Sequence, residues 1–255
     1  MADRITEVYY MTNSDMADSY IKNQQCFFGF EISADLYHSC IQVIKDINEG
    51  HDQSRLDERA ADNVIRLTNT GFEVYYAKPS SMIELSNVIR KAADAGVHAV
   101  QKGVQMVVRK VIVGTPVQQL KIMSDYMAQL LCVSETDPNR YYVCFTLTEE
   151  LFTLAQTLLA RVRTDTNVEA YRTEIIAALE RLIVAGIDAY YAKPVDQVKL
   201  GRITRTASDL GIKTAHKGTT AVVHKLFKDM PHAAMLPLAA YFETLLHDEV
   251  RSFQS

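Results

Sequence analysis

Apolar residues recur along this chain at intervals of three and four, and proline and glycine separate the runs, a pattern that predicts helices. In the stretch from 33 to 50, Ser33 stands at an N-cap position, Leu36, Cys40, Val43, Ile44 and Ile47 share one stripe, and Gly50 supplies the stop. A longer run follows in which Ala60, Val64, Leu67, Gly71 and Tyr75 keep helical spacing. It is expected to end at Lys78, because the residue before Pro79 is pushed out of the α region. A third helix is predicted from Ser81 to Ile112, and a fourth begins at Pro116, where proline suits a first turn. A further helix from Ser14 to Gln25 packs through Met16, Tyr20 and Ile21. Only Arg140 to Leu147 reads as a short strand, so the expected fold class is all-α.

The whole pattern occurs twice. Shifted by 115 residues, Phe28 to Cys132 aligns with Val143 to His247 without a gap, and 24 of the 105 pairs are identical. Average composition would give about 6% identity by chance, so the excess points to internal duplication. The shared positions include Phe30 with Phe145, Arg66 with Arg181, Gly71 with Gly186, Asp94 with Asp209, Gly96 with Gly211 and Tyr126 with Tyr241. The expected architecture is therefore two tandem, pseudo-symmetric four-helix repeats. The first, with an N-terminal extension, spans residues 1–133, a seam covers 134–140, and the second repeat covers 141–255.

The longest identical run is Tyr-Tyr-Ala-Lys-Pro, at 75–79 and again at 190–194. One reading makes it a copied helix stop: Gly71 admits a neighbouring helix, Tyr75 and Tyr76 cap the core, Lys78 offsets the carbonyl dipoles and Pro79 breaks the helix. The other makes it half of a site. Tyr75, Tyr76, Lys78 and Lys102, with Tyr190, Tyr191, Lys193 and Lys217 in the second copy, have the donors and charge to hold an anionic small molecule. In the third helix, Leu85, Ala92, Gly96, Gly103 and Val107 form a stripe of mostly small residues, expected to face inward where helices approach closely.

Charge adds a second asymmetry. From Lys78 to Val113 six Lys or Arg stand against two acidic residues, from Lys193 to Lys228 eight stand against two, and the whole chain is −4. The two third-helix segments thus carry +4 and +6, and the remainder −14. Such segments either lie against acidic neighbours such as Arg55 to Asp62 or offer a surface to an acidic partner. Nucleic acid is disfavoured, since no aromatic residue between Ser80 and Ile112 is available to stack on bases and the pI is near 6.0. Lying on a membrane surface is also disfavoured, because these basic helices lack large aromatics.

Recognisable catalytic motifs are missing: there is no HExxH, GxSxG, GxGxxG, P-loop or ExxH pattern. The four cysteines form no CxxC pair and read as buried thiols, not as a metal or redox site. No apolar run is long enough to span a bilayer and no leader pattern opens the chain, so a cytoplasmic protein is expected. The sequence predicts a non-enzymatic protein without cofactor or metal that acts by binding another protein, an acidic one by its charge. The alternative is a sensor or carrier of an anionic small molecule at the duplicated tyrosine and lysine clusters.

Overall fold

The computed structural model describes residues 25–50, 55–84, 87–197 and 202–253. The helix expected at 14–25 and Leu85 of the small-residue stripe lie outside the described residues. Strand β1 (Cys26–Ile32) leads into α1 (Ala34–Glu49) and α2 (Leu56–Phe72). A π-helical turn (Glu73–Ala77) runs straight into the short α3 (Lys78–Ser81), and α4 (Asn87–Ile112), α5 (Val117–Leu130) and β2 (Leu131–Ser134) follow. The second half repeats this order with β3 (Tyr141–Leu147), α6 (Glu149–Thr164), α7 (Arg172–Ile187), a π turn (Asp188–Ala192), α8 (Lys193–Asp196), α9 (Arg202–Phe227), α10 (His232–Glu243) and β4 (Leu246–His247). A final strand, β5 (Val250–Ser252), closes the described chain.

The all-α expectation is therefore corrected: the molecule is mostly helical but contains a five-stranded antiparallel sheet in the order β4-β1-β3-β2-β5. β3 matches the short strand read at Arg140 to Leu147, and the reason the other strands escaped the hydrophobic pattern lies in burial. Strands that alternate between core and water show a period of two, but β1 is covered on both faces. Phe28, Phe30 and Ile32 enter the main core beneath the helices, while Phe27 on the opposite face packs with Cys132, Tyr142, Cys144 and Val250. Only Glu31, next to the end of the strand, is exposed, where it pairs with Arg140 at 2.8 Å. A continuous apolar run of this length carries no strand signature of its own.

β1 and β3 occupy corresponding positions in the two halves, and they pair with each other so that Gly29 faces Cys144, its own counterpart 115 residues later. Exchanging the halves maps the ladder onto itself: Cys26 with Leu147 becomes Ile32 with Tyr141, and the Gly29–Cys144 rung is its own image. The flanking pairs obey the same rule, Phe27 with His247 matching Tyr142 with Cys132. An approximate two-fold axis thus passes through the centre of the sheet. β5 has no matching strand beside β4 among the described residues. A Cβ on Gly29 would sit 2.2 Å from the Val143 carbonyl oxygen and 2.5 Å from Cys144 Sγ, so the position at the axis has room for one side chain only.

Helix starts follow the sequence closely. Ser33 and Thr148 each accept a hydrogen bond from the backbone N–H three residues on, at 3.3 Å in both cases, and Gly50 ends α1 in the left-handed conformation. Among the described residues no helix is long and apolar enough to cross a membrane.

Candidate functional site

The repeated Tyr-Tyr-Ala-Lys-Pro segment is not a helix stop. In both halves the chain stays helical through it, passing from an α-helix into a π turn and on into the short α3 or α8 with proline in the first turn. The wider π winding accounts for this. Lys78 N–H bonds to Glu73 O, five residues back, and Lys193 N–H likewise bonds to Asp188 O. The next donor in each series would be residue 79 or 194, and proline has no N–H. The carbonyls left over are those of Val74 and Ala189.

The opposite half supplies the missing donors. Tyr241 Oη donates to Val74 O at 2.8 Å, and Tyr126 Oη donates to Ala189 O at 2.7 Å. These two tyrosines are themselves counterparts, so the pair of bonds is reciprocal across the axis. Burial, and secondarily the Asp188 carboxylate, pushes the Tyr126 phenol up to about 12, so it remains a donor throughout the neutral range. On the axis itself Tyr75 and Tyr190 meet with their hydroxyls 3.3 Å apart. Tyr75 stacks on Phe28 at 5.6 Å and meets Phe30 edge-on at 5.3 Å, and Tyr190 meets Phe145 edge-on at 5.3 Å. Enclosure raises both phenols above the ordinary tyrosine range. Gly71 and Gly186 face those same strand rings, not another helix: a Cβ there would meet Phe30 at 3.5 Å or Phe145 at 3.6 Å.

The other members of the expected cluster lie apart from this joint. Tyr76 donates to Asp94 Oδ1 at 2.8 Å, and burial together with that bond pushes its phenol up to about 12. Lys78, Lys102, Lys193 and Lys217 are all exposed, and Lys193 is paired with Asp188 at 2.9 Å across the π turn. Each half has a small, partly open cavity among its helices, and no lysine lines either of the two; Tyr190 and Tyr191 do line the one in the first half.

The long helices α4 and α9 differ from the expectation too. They pack against each other and against α2 and α7. Among the described residues, none from 90 to 110 or from 205 to 227 is buried. Gly96, Gly103 and Gly218 face outward, where an added Cβ would meet nothing within 4 Å. The inner face of α4 is marked instead by Val97, Val100, Val104, Val107 and Val111, which keep helical spacing on the side away from Lys91, Lys102 and Arg109, and the glycines lie beside that stripe. Part of the basic charge is answered internally, by Arg109 with Asp62 at 2.9 Å and by Arg205 with Asp196 and Asp209. Lys102, Lys110, Lys213, Lys217 and Lys225 make no ion pair among the described residues. No cluster of three or more potential metal ligands occurs among the described residues.

Sequence reasoning singled out the Tyr126 and Tyr241 identity without a role for it, since the acceptors arise only from bonds that two distant prolines cannot make. It passed over Asn63, a buried amide on the apolar stripe of α2 whose counterpart is Ala178; that polar interruption was the available signal. Comparison of the chain with protein-family models, with curated proteins and with solved structures finds no match.

Proposed function

We propose that the protein works by binding an acidic protein partner along the outer face of α4 and α9. The supporting observation is the pair of 26-residue helices in which no described residue from 90 to 110 or from 205 to 227 is buried. Each is about 39 Å long, and two helices about 10 Å wide side by side offer on the order of 800 Å², the area one partner contributes to a standard interface. Met106 is 68% exposed, next to lysines without ion-pair partners. The mixture of apolar contact and unanswered positive charge suits a partner carrying carboxylates around apolar anchors.

The outward glycines fit this reading. Glycine within a helix costs about 1 kcal/mol relative to alanine, and nothing among the described residues packs on Gly96 or Gly103 to recover it. A partner backbone approaching closely would.

A photo-crosslinker at Met106 tests the proposal against one at Asn139, an exposed position in the turn between β2 and β3. An acidic protein should be captured from Met106 alone. Capture should be lost with Lys102→Glu and Lys217→Glu together, and in about 1 M salt, where the screening length falls to about 3 Å. Equal capture at both positions, or capture indifferent to charge reversal, overturns it.

A further inference from the structure

The two cavities are counterparts, and comparing them residue by residue exposes a site in only one. The second-half cavity, about 70 Å³, lies among α6, α7, α9 and α10 and is apolar throughout. The first-half cavity, about 120 Å³, lies among α1, α2, α4 and α5. Where the second half has Ile175, Ala178 and Ala239, the first has Ala60, Asn63 and Ser124. One difference enlarges the space and two make it polar.

Asn63 is 7% exposed. Its Oδ1 accepts from Ser39 Oγ at 2.9 Å, but its Nδ2 has no hydrogen-bond partner and no access to solvent. A buried amide donor left unpaired is costly, and native structures rarely carry one without a reason. Ser124 Oγ, by contrast, is satisfied by the Lys121 carbonyl at 2.8 Å. Asn63 therefore brings an unmet donor to walls that are otherwise largely aliphatic, Val43, Ile44, Val107, Val108 and Ile112 among them. Its rim is built by Tyr190, Tyr191, Pro194 and Val195, so the repeated segment of the second half closes the cavity of the first. The corresponding residues Tyr75, Tyr76, Pro79 and Ser80 do not line the second-half cavity.

We propose that the first-half cavity is a binding site for a small, mainly apolar molecule that carries one oxygen acceptor, with the apolar body among the valines and isoleucines and the oxygen on Asn63 Nδ2. The volume is close to that of an engineered aliphatic cavity of about 150 Å³ that takes up benzene, which sets the scale at a single six-membered ring. The charged face of α4 and α9 is a separate surface, so this site stands or falls independently of the partner proposed above.

Cyclohexanol and methylcyclohexane make a matched probe pair, one with a hydroxyl and the other with a methyl at the same place. In the full chain, titrated with each probe and followed by amide resonances, cyclohexanol should shift the Asn63 side-chain N–H signals and the backbone signals lining the cavity. Methylcyclohexane should move only the latter. In Asn63→Ala, which installs what the second half already carries at Ala178, the cyclohexanol Kd should rise fivefold or more while the methylcyclohexane Kd changes less than twofold. Ala60→Ile, copying Ile175, should fill the space and weaken both. Should Asn63→Ala fail to fold, the wild-type side-chain resonances decide alone. The proposal is overturned if cyclohexanol leaves the Asn63 amide unmoved, or if both probes lose affinity equally in Asn63→Ala.

Discussion

Val74 O and Ala189 O are acceptors that exist because residues 79 and 194 are prolines, and each is answered by a tyrosine from the other half. Removing one hydroxyl leaves a buried carbonyl without a donor, so Tyr241→Phe should cost about 1 to 3 kcal/mol in a denaturant titration. Pro79→Ala restores an N–H that can take the next π-helical bond. The loss in Tyr241→Phe should then be smaller in the Pro79→Ala background, and strict additivity would show that the tyrosine acts elsewhere. Ionisation gives a second measurement on the same joint. The phenols of Tyr75 and Tyr190 are raised by enclosure, so the folded protein holds protons that the unfolded chain releases near pH 10. For a group whose folded pKa is raised, stability is fully present below the unfolded value and is lost as pH rises toward the folded one. Unfolding midpoints should therefore fall between about pH 10 and 12, and fall less steeply in Tyr75→Phe/Tyr190→Phe. Caps such as Ser33 were legible because their partner lies three residues away; the role of Tyr126 was not, because its partner is created on the far side of the axis.

At the scale of elements, helical periodicity located the main helices but not their joints or the sheet. The Lys78–Pro79 junction looked like a stop, since proline excludes the α conformation from the residue before it in most settings. A π turn removes the conflict by leaving the proline position outside the bond series. β1 and β2 were invisible for a different reason, both faces of the sheet being covered, which erases alternation. The long helices show a third limit, in that the Ala and Gly stripe of α4 runs beside the valine stripe that packs inward, and small-residue spacing alone does not say which of the two is inside. This has a direct consequence for Gly96. Because a Cβ there meets nothing and the residue sits inside α4, Gly96→Ala should raise stability by about 1 kcal/mol, read as a higher melting temperature. Gly96→Leu should fold equally well yet block capture of the partner at Met106, while a destabilised Gly96→Leu would mean the site is packed after all.

In the whole molecule the halves share one sheet and one main core, which takes Phe28, Phe30 and Leu67 from the first and Val143, Phe145 and Leu151 from the second. The 115-residue offset was readable in the sequence, whereas the way the halves meet depends on a register no local pattern encodes. That register has a testable implication. The central ladder is invariant to exchanging the halves, so β1 presents to β3 the same edge that a second β1 would present to it, with Gly29 opposite Gly29 at the axis. A fragment of residues 25–134 would expose the β1 edge and the apolar rings of Phe28, Phe30 and Tyr75 on leaving its other half. It should recover them by pairing with a second copy of itself, and a second glycine in place of Cys144 over Gly29 should not prevent this because glycine is the smaller residue. Light scattering should give twice the fragment mass, and Gly29→Val, which sets two branched side chains against backbone at the axis, should abolish the dimer. A fragment that folds as a stable monomer would mean that each half has a self-sufficient core, and that the sheet joins the halves without either depending on it.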